Sequence, residues 1–285
     1  MTTTKTIMDY STKEIPTWCA GCGDFGIVTA LKQALAQTNS EPHETVLVAG
    51  IGCGSLMPYW LNTYGVCSLH GRAIPFATGL KMANNNLKVV VNCGDGDGLG
   101  IGMGHYIHFF RRNLDMTVMI DNNGVYGLTK GQTAPTANKG TKTSSTPFGS
   151  IEEYVNGLAL GITMGATFVA RAYAGNLPQL TAILKAAMEH KGSAVVDILQ
   201  PCVTFNKVET YQFYNGKVEA SDVRCKTRQE AYDFVMTPQE KIPTGVFYVE
   251  EKGTYESELP QLEKGALVDH EITNIDVTAF MKLRS

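Results

Sequence analysis

Between Glu44 and Gln200 short apolar runs alternate with longer segments whose apolar residues recur at helical spacing. Thr45–Ala49 (TVLVA), Lys88–Val91 (KVVV), Thr117–Ile120 (TVMI), Phe168–Ala170 (FVA) and Ala194–Leu199 (AVVDIL) are continuous apolar runs of strand length, and read as buried strands. Ile27–Gln37, Phe76–Asn84, Gly98–Arg112, Ile151–Leu160 and Leu177–His190 carry the helical period. This alternation predicts an α/β fold, a mostly parallel sheet flanked by helices. Residues 1–204 are expected to form that domain.

From about Phe205 the period fades. Residues 205–285 hold 24 of the chain's 51 charged residues, with Tyr211, Phe213, Tyr214, Phe247 and Tyr248 scattered among them. They are expected to form a C-terminal extension that contacts another subunit through these aromatics. A solvated surface extension is the plainer alternative.

Composition narrows the function classes. A net charge of −3 gives no basic excess for binding nucleic acid or an anionic membrane. No apolar run is long enough to span a bilayer and the N-terminus lacks a signal-peptide core, so a cytoplasmic location is expected. Seven cysteines, an odd count in a long chain, argue against a disulfide framework and point to metal or redox chemistry.

The densest chemistry lies in VVVNCGDGDGLGIGMGHYIHFFRRNLDMTVMIDNNGVYG. It reads strand, glycine-rich turn, helix, strand, polar turn. Asp95 follows the first strand, and Asn123 follows the second, 28 positions later. A parallel crossover of that length makes the two strands neighbours and brings both side chains to the carboxyl edge of the sheet. A carboxylate, an amide oxygen and a nearby backbone carbonyl suit Mg2+ that shares its coordination with phosphate oxygens. Glycines at 94, 96, 98, 100 and 102 let the backbone approach those phosphates. The dinucleotide pattern G-x-G-x-x-G fails from each of Gly94, Gly96, Gly98 and Gly100, and where it succeeds, at Gly21, Gly23 and Gly26, no buried strand precedes it.

GDG followed after 25–30 residues by a doubled Asn resembles the signature of thiamine-diphosphate enzymes. The resemblance implies that Asp95, Asn123 and the carbonyl of Val125 ligate magnesium. Cys19 and Cys22 form a C-x-x-C that could serve zinc, an iron–sulfur cluster or a thiol pair. A four-cysteine site needs two more from Cys53, Cys67, Cys93, Cys202 and Cys225, and spacing leaves that choice open. Cys93 reads as a small buried hydrophobe; Cys67 and Cys225 have no assigned role.

Six segments narrow the resemblance: WCAGCGDFG, GIGCGS at 50–55, LHGRAIPFATGLKMAN at 69–84, GDGDGLGIGMGH at 94–105, NNGVYGLTKGQTAPT at 122–136 and QPCVTFN at 200–206. In that order, over about the first 206 residues, they resemble the β subunit of 2-oxoacid:ferredoxin oxidoreductases, the 2-oxoglutarate enzymes among them. The resemblance implies a 4Fe–4S cluster on Cys19, Cys22, Cys53 and Cys202. It implies thiamine diphosphate among Gly52, Cys53, Ser55, His70, Gly71, Gly94, Asp95, Gly96, Asp97, Asn123, Val125, Tyr126, Gly127 and Leu128. The implied reaction is the coenzyme A-dependent oxidative decarboxylation of a 2-oxoacid, with electrons passed to ferredoxin. Only one thiamine-type domain is present, so an α-type partner subunit is expected to supply the glutamate that activates the cofactor, in a hetero-oligomer such as (αβ)2.

Lys130 alone reads as a surface lysine, and the YGLTKGQ resemblance makes it the catalytic candidate. His70 reads as a cofactor contact or as a loop-holding residue. His105 and His108 read as structural residues, Arg111 and Arg112 as a solvated face. A non-oxidative thiamine decarboxylase subunit, a metal-stabilised electron-transfer module and a nicotinamide dehydrogenase are the competing readings.

Overall fold

The computed structural model describes residues 4–271, 273 and 276–283. Its strands are β1 (Thr45–Ala49), β2 (Tyr64–Cys67), β3 (Lys88–Gly94), β4 (Met116–Asn122), the short pair β5 (Val125–Tyr126) and β6 (Gln132–Thr133), β7 (Phe168–Tyr173), β8 (Ser193–Leu199), β9 (Val218–Ala220) and β10 (Ile242–Val249). The α-helices among the described residues are α1 (Asp24–Thr38), α2 (Ala73–Ala83), α3 (Met103–Arg112), α4 (Gly157–Met164), α5 (Leu177–Glu189), α6 (Tyr211–Lys217), α7 (Arg228–Met236) and α8 (Thr278–Lys282). Among the described residues the main sheet runs β2-β1-β3-β4-β8-β7-β10-β9. Its first six strands are parallel, and β10 joins β7 antiparallel.

The pleat divides the core into two layers. Leu47 of β1 and Val196 of β8 face one layer, with Ile27, Leu31 and Leu35 of α1 and Leu184 of α5. Val46, Val48 and Val195 face the other, with Phe109 and Phe110 of α3 and Leu158 of α4. Both faces of the central strands are therefore buried, which is why their sequences are apolar without alternation.

Helix α1 docks at Gly26, where a β-carbon would stand 2.3 Å from the carbonyl oxygen of Ala174. Backbone cannot yield there as a flexible side chain can. Gly26→Ala is expected to cost about 1–3 kcal/mol and to lower the melting temperature by several degrees, read by thermal unfolding.

Three expectations need correction. The helix placed over Gly98–Arg112 is two pieces: a π-helical turn over Gly96–Ile101, closed by Gly102 N–H donating to Asp97 O at 2.8 Å, and then α3. Five alternating glycines hold the regular helix weakly, and π-turns of this kind gather at functional sites. The helix placed over Ile151–Leu160 begins only at Gly157, because the Asn156 side chain accepts from Ala159 N–H and caps it; Ile151 stands exposed.

The third correction concerns the aromatics after Phe205. Tyr214, Phe247 and Tyr248 are buried in this chain and are not free to act as anchors, while Tyr211 and Phe213 pack beside Tyr173 and Tyr214 and stay half-buried. Strand β10 supplies the reason: it covers the edge of β7, whose backbone groups would otherwise lack partners. No helix among the described residues is long and apolar enough to cross a membrane.

Candidate active site

The chain leaves β1 toward the β2 edge and returns to enter β3 on the other side, so the strand order reverses between β1 and β3. Open α/β sheets bind ligands in the crevice at such a switch point, outside the carboxyl ends of the strands. The segments following β1, β2, β3, β4 and β8 all meet there.

Strands β3 and β4 are parallel neighbours, with Gly94 opposite Asp121. Asp95 stands at the end of β3, almost fully buried. Its Oδ1 accepts from Gly96 N–H at 2.8 Å and its Oδ2 from Gly124 N–H at 2.7 Å and from the Thr136 hydroxyl. Burial pushes its carboxyl up to about 6, against the downward pull of Thr136, Gly96 and Gly124. Asn123 Oδ1 accepts from Val125 N–H at 3.0 Å, and its backbone carbonyl accepts from Asn206 Nδ2 at 2.9 Å.

These groups border a cavity of about 150 Å³. Gly52, Cys53, His70, Gly94, Asp95, Gly96, Asp97, Asn123, Val125, Tyr126, Gly127 and Leu128, each anticipated from the sequence, line it together. Ser55 and Gly71 stand one step behind. The Ser55 hydroxyl accepts from Gly52 N–H at 3.0 Å, and Gly71 N–H donates to Asp97 Oδ1 at 2.7 Å. A β-carbon at Gly96 would press on the Tyr126 ring at 2.2 Å, whereas at Gly52 and Gly94 there is open space. The backbone is thus bare where a ligand would approach.

A second cavity, of about 260 Å³, adjoins the first. Cys19, Cys22, Cys53 and Cys202 all line it, and Cys53, Asn123, Gly127 and Leu128 border both. Gly127 lies over two of the thiols: a β-carbon there would stand 3.5 Å from Cys53 Sγ and 3.6 Å from Cys202 Sγ. Burial pushes the Cys53 thiol up to about 12 and the Cys22 thiol further still. Among the described residues no three histidine, cysteine or acidic side chains close around a single ion. Lys130, left-handed at φ 76 on the β5–β6 turn, lines this cysteine cavity and is not part of the Asp95 cavity's lining. Cys93 is buried, Cys67 is exposed and Cys225 is half-buried.

Sequence reasoning missed the buried polar shell around these cavities. Asp24 is fully buried, faces Cys22 Sγ at 3.5 Å and accepts from Gln200 Nε2 at 3.1 Å; burial raises its carboxyl to about 7. Asp121 accepts from Asn92 Nδ2 at 2.9 Å and is pushed well up by burial and then by Asp24. Trp18 Nε1–H donates to Cys53 O at 2.7 Å. The available signal was adjacency: Trp18 and Asp24 flank the C-x-x-C, and Gln200 and Asn206 flank Cys202.

Residues 22–198 match the model of the C-terminal TPP-binding domain of thiamine pyrophosphate enzymes. Residues 202–264 match that of the C-terminal part of the pyruvate ferredoxin oxidoreductase β subunit. A 2-oxoacid:ferredoxin oxidoreductase β subunit of Aeropyrum pernix is 46% identical over 278 residues, covering 93% of this chain and 87% of that protein. The chain belongs to the β subunits of the 2-oxoacid:ferredoxin oxidoreductases. A 2-oxoglutarate oxidoreductase subunit KorB of Mycobacterium tuberculosis is 45% identical over 70% of this β subunit and 53% of its own length. The fold overlays that of a 2-oxoglutarate:ferredoxin oxidoreductase from Magnetococcus marinus, solved with 2-oxoglutarate, coenzyme A and succinyl-CoA bound, with a TM-score of 0.91. That match is 38% identical and covers 98% of this chain and 96% of the other. The β subunit is thus part of an oxidoreductase that needs a partner subunit, and the cavity beneath Asp95 lies in its thiamine pyrophosphate-binding domain.

Proposed function

We propose that this β subunit, joined to an α-type partner, carries out the coenzyme A-dependent oxidative decarboxylation of a 2-oxoacid of the 2-oxoglutarate or pyruvate class. Electrons leave through a 4Fe–4S cluster to ferredoxin. One observation carries the reading: the Asp95 cavity and the four-cysteine cavity adjoin and share Cys53 and Gly127.

The donor sets support the two groups. At the first cavity a buried carboxylate, an amide and the Val125 carbonyl are hard oxygen donors suited to Mg2+, and a cation there would offset the cost of keeping Asp95 charged. At the second, four soft sulfur donors line one space, a donor set suited to an iron–sulfur cluster. Thiamine diphosphate, when bound, supplies the electron sink for decarboxylation, and the cluster the one-electron outlet.

The chain's own residues bind and orient. Asp95, Asn123 and the Val125 carbonyl would hold the magnesium that neutralises the diphosphate charge. Gly94 and Gly96 give the phosphates close approach, and Tyr126 and Leu128 border the space above. Lys130 brings a positive charge to the cysteine cavity, where it can meet the charge of substrate or cofactor. The glutamate that activates the cofactor belongs to the partner, in an (αβ)2-type assembly. Seven cysteines, four of them proposed as cluster ligands, favour a reducing compartment such as the cytoplasm.

The test is anaerobic purification with the co-expressed partner, followed by iron, acid-labile sulfide, thiamine and visible absorbance. About four irons and four sulfides with one thiamine diphosphate per β chain are expected. Thiamine without iron would leave a decarboxylase-type enzyme, and zinc without thiamine would overturn the proposal.

A further inference from the structure

Asp97 lies in the π-turn two residues after Asp95, and its side chain is 1% exposed. Its Oδ1 meets donors from two other segments: Ile51 N–H at 3.1 Å, Gly71 N–H at 2.7 Å and His70 Nδ1 at 2.6 Å. Its carboxyl packs against Gly50, where a β-carbon would stand 1.8 Å from Oδ2. The carboxylate therefore offers a ligand almost no surface. The His70 side chain is 36% exposed and lines the cavity. On its other side the ring stands edge-on to Tyr126, with centroids 5.9 Å apart, and the Tyr126 hydroxyl donates to Gly96 O at 3.2 Å.

An oxygen that already accepts two backbone N–H groups acts as an acceptor toward its third neighbour as well. The hydrogen between Asp97 and His70 therefore sits on Nδ1, and Nε2 is the nitrogen left to face the cavity. We infer that Asp97 is a positioning residue that acts through His70, fixing the ring so that Nε2 meets the bound thiamine diphosphate. In the same contact it ties the segments after β1 and β2 to the turn after β3. This inference rests on the thiamine diphosphate reading of the cavity.

A double-mutant cycle on the assembled enzyme tests it, with thiamine diphosphate affinity as the readout. Asp97→Asn keeps an oxygen for the Ile51 and Gly71 N–H groups but loses the charge that holds the ring. Asp97→Asn and His70→Ala should each weaken binding about tenfold. Asp97→Asn should weaken it less than twofold further in the His70→Ala background, since residues acting through one contact are not additive. Independent, multiplying effects would overturn the inference and leave Asp97 as a backbone clamp alone. Wild-type enzyme that binds no thiamine diphosphate would overturn the functional reading itself.

The ring can also be read without any Asp97 variant. Histidine 15N spectra of the wild-type complex, with the His70 signals assigned from their loss in His70→Gln, should show a protonated Nδ1. A bare Nδ1 with the hydrogen on Nε2 would overturn the inference even if Asp97→Asn fails to assemble.

Discussion

Cys202→Ser is expected to empty the cluster site while leaving thiamine diphosphate bound. Cys202 sits just past β8, at the border of the cysteine cavity, and its thiol lies beneath Gly127 on the hairpin that separates the two cavities. Serine nearly preserves the volume but replaces a soft thiolate with a hard, poorly ionised hydroxyl, a weak ligand for iron. The Asp95 site keeps all of its own groups. Iron and visible absorbance should fall sharply, thiamine content should stay near one per chain, and ferredoxin reduction should drop by about 100-fold or more, roughly 2.7 kcal/mol of barrier. Full iron content in the variant would remove Cys202 from the ligand set.

Asp95→Ala should have the opposite signature, losing thiamine diphosphate while keeping iron. The carboxylate is both the proposed magnesium ligand and the acceptor for Gly96 N–H, Gly124 N–H and the Thr136 hydroxyl. Alanine leaves these buried donors without a partner, at about 1–3 kcal/mol each before water enters. Reduced thermal stability should therefore accompany an affinity loss of about 100-fold or more. Asp95→Asn separates the two roles. Its oxygen still anchors the Gly124 turn while the charge is gone, so most of the stability should return and the cofactor affinity should not. Calorimetry and thiamine binding on the same preparations decide between them. Restored affinity in Asp95→Asn would show that the carboxylate serves the loop and not the metal.

Legibility in the sequence followed burial. Strands β1, β3, β4, β7 and β8 are enclosed by helices on both faces, and their unbroken apolar runs announced them. Strand β2 is exposed at the sheet edge, and β10 contains Pro243 and Gly245; neither carries a period, so neither was visible. The glycine turn was legible as a phosphate approach, but its π geometry depends on where the Asp97 carbonyl finds its donor. Asp24 and Asp121 could not be recognised as buried acids, because burial arises only when α1 and the segment around Gly54 close over them. A β-carbon at Gly54 would lie 2.0 Å from Asp121 Oδ2.

The sequence by itself determined the α/β class, the family, and the residue types for both sites, because each of those is carried by local pattern: apolar runs, GDG with its distant Asn pair, and cysteines in characteristic segments. Only the tertiary structure decided which residues share a space. The cysteines come from segments as far apart as 19 and 202, and no spacing rule relates them until parallel strands deliver their following segments to one edge. The same convergence placed Lys130 beside the cysteines and joined His70 to Asp97. It also turned Tyr214, Phe247 and Tyr248 inward, where β10 covers the β7 edge.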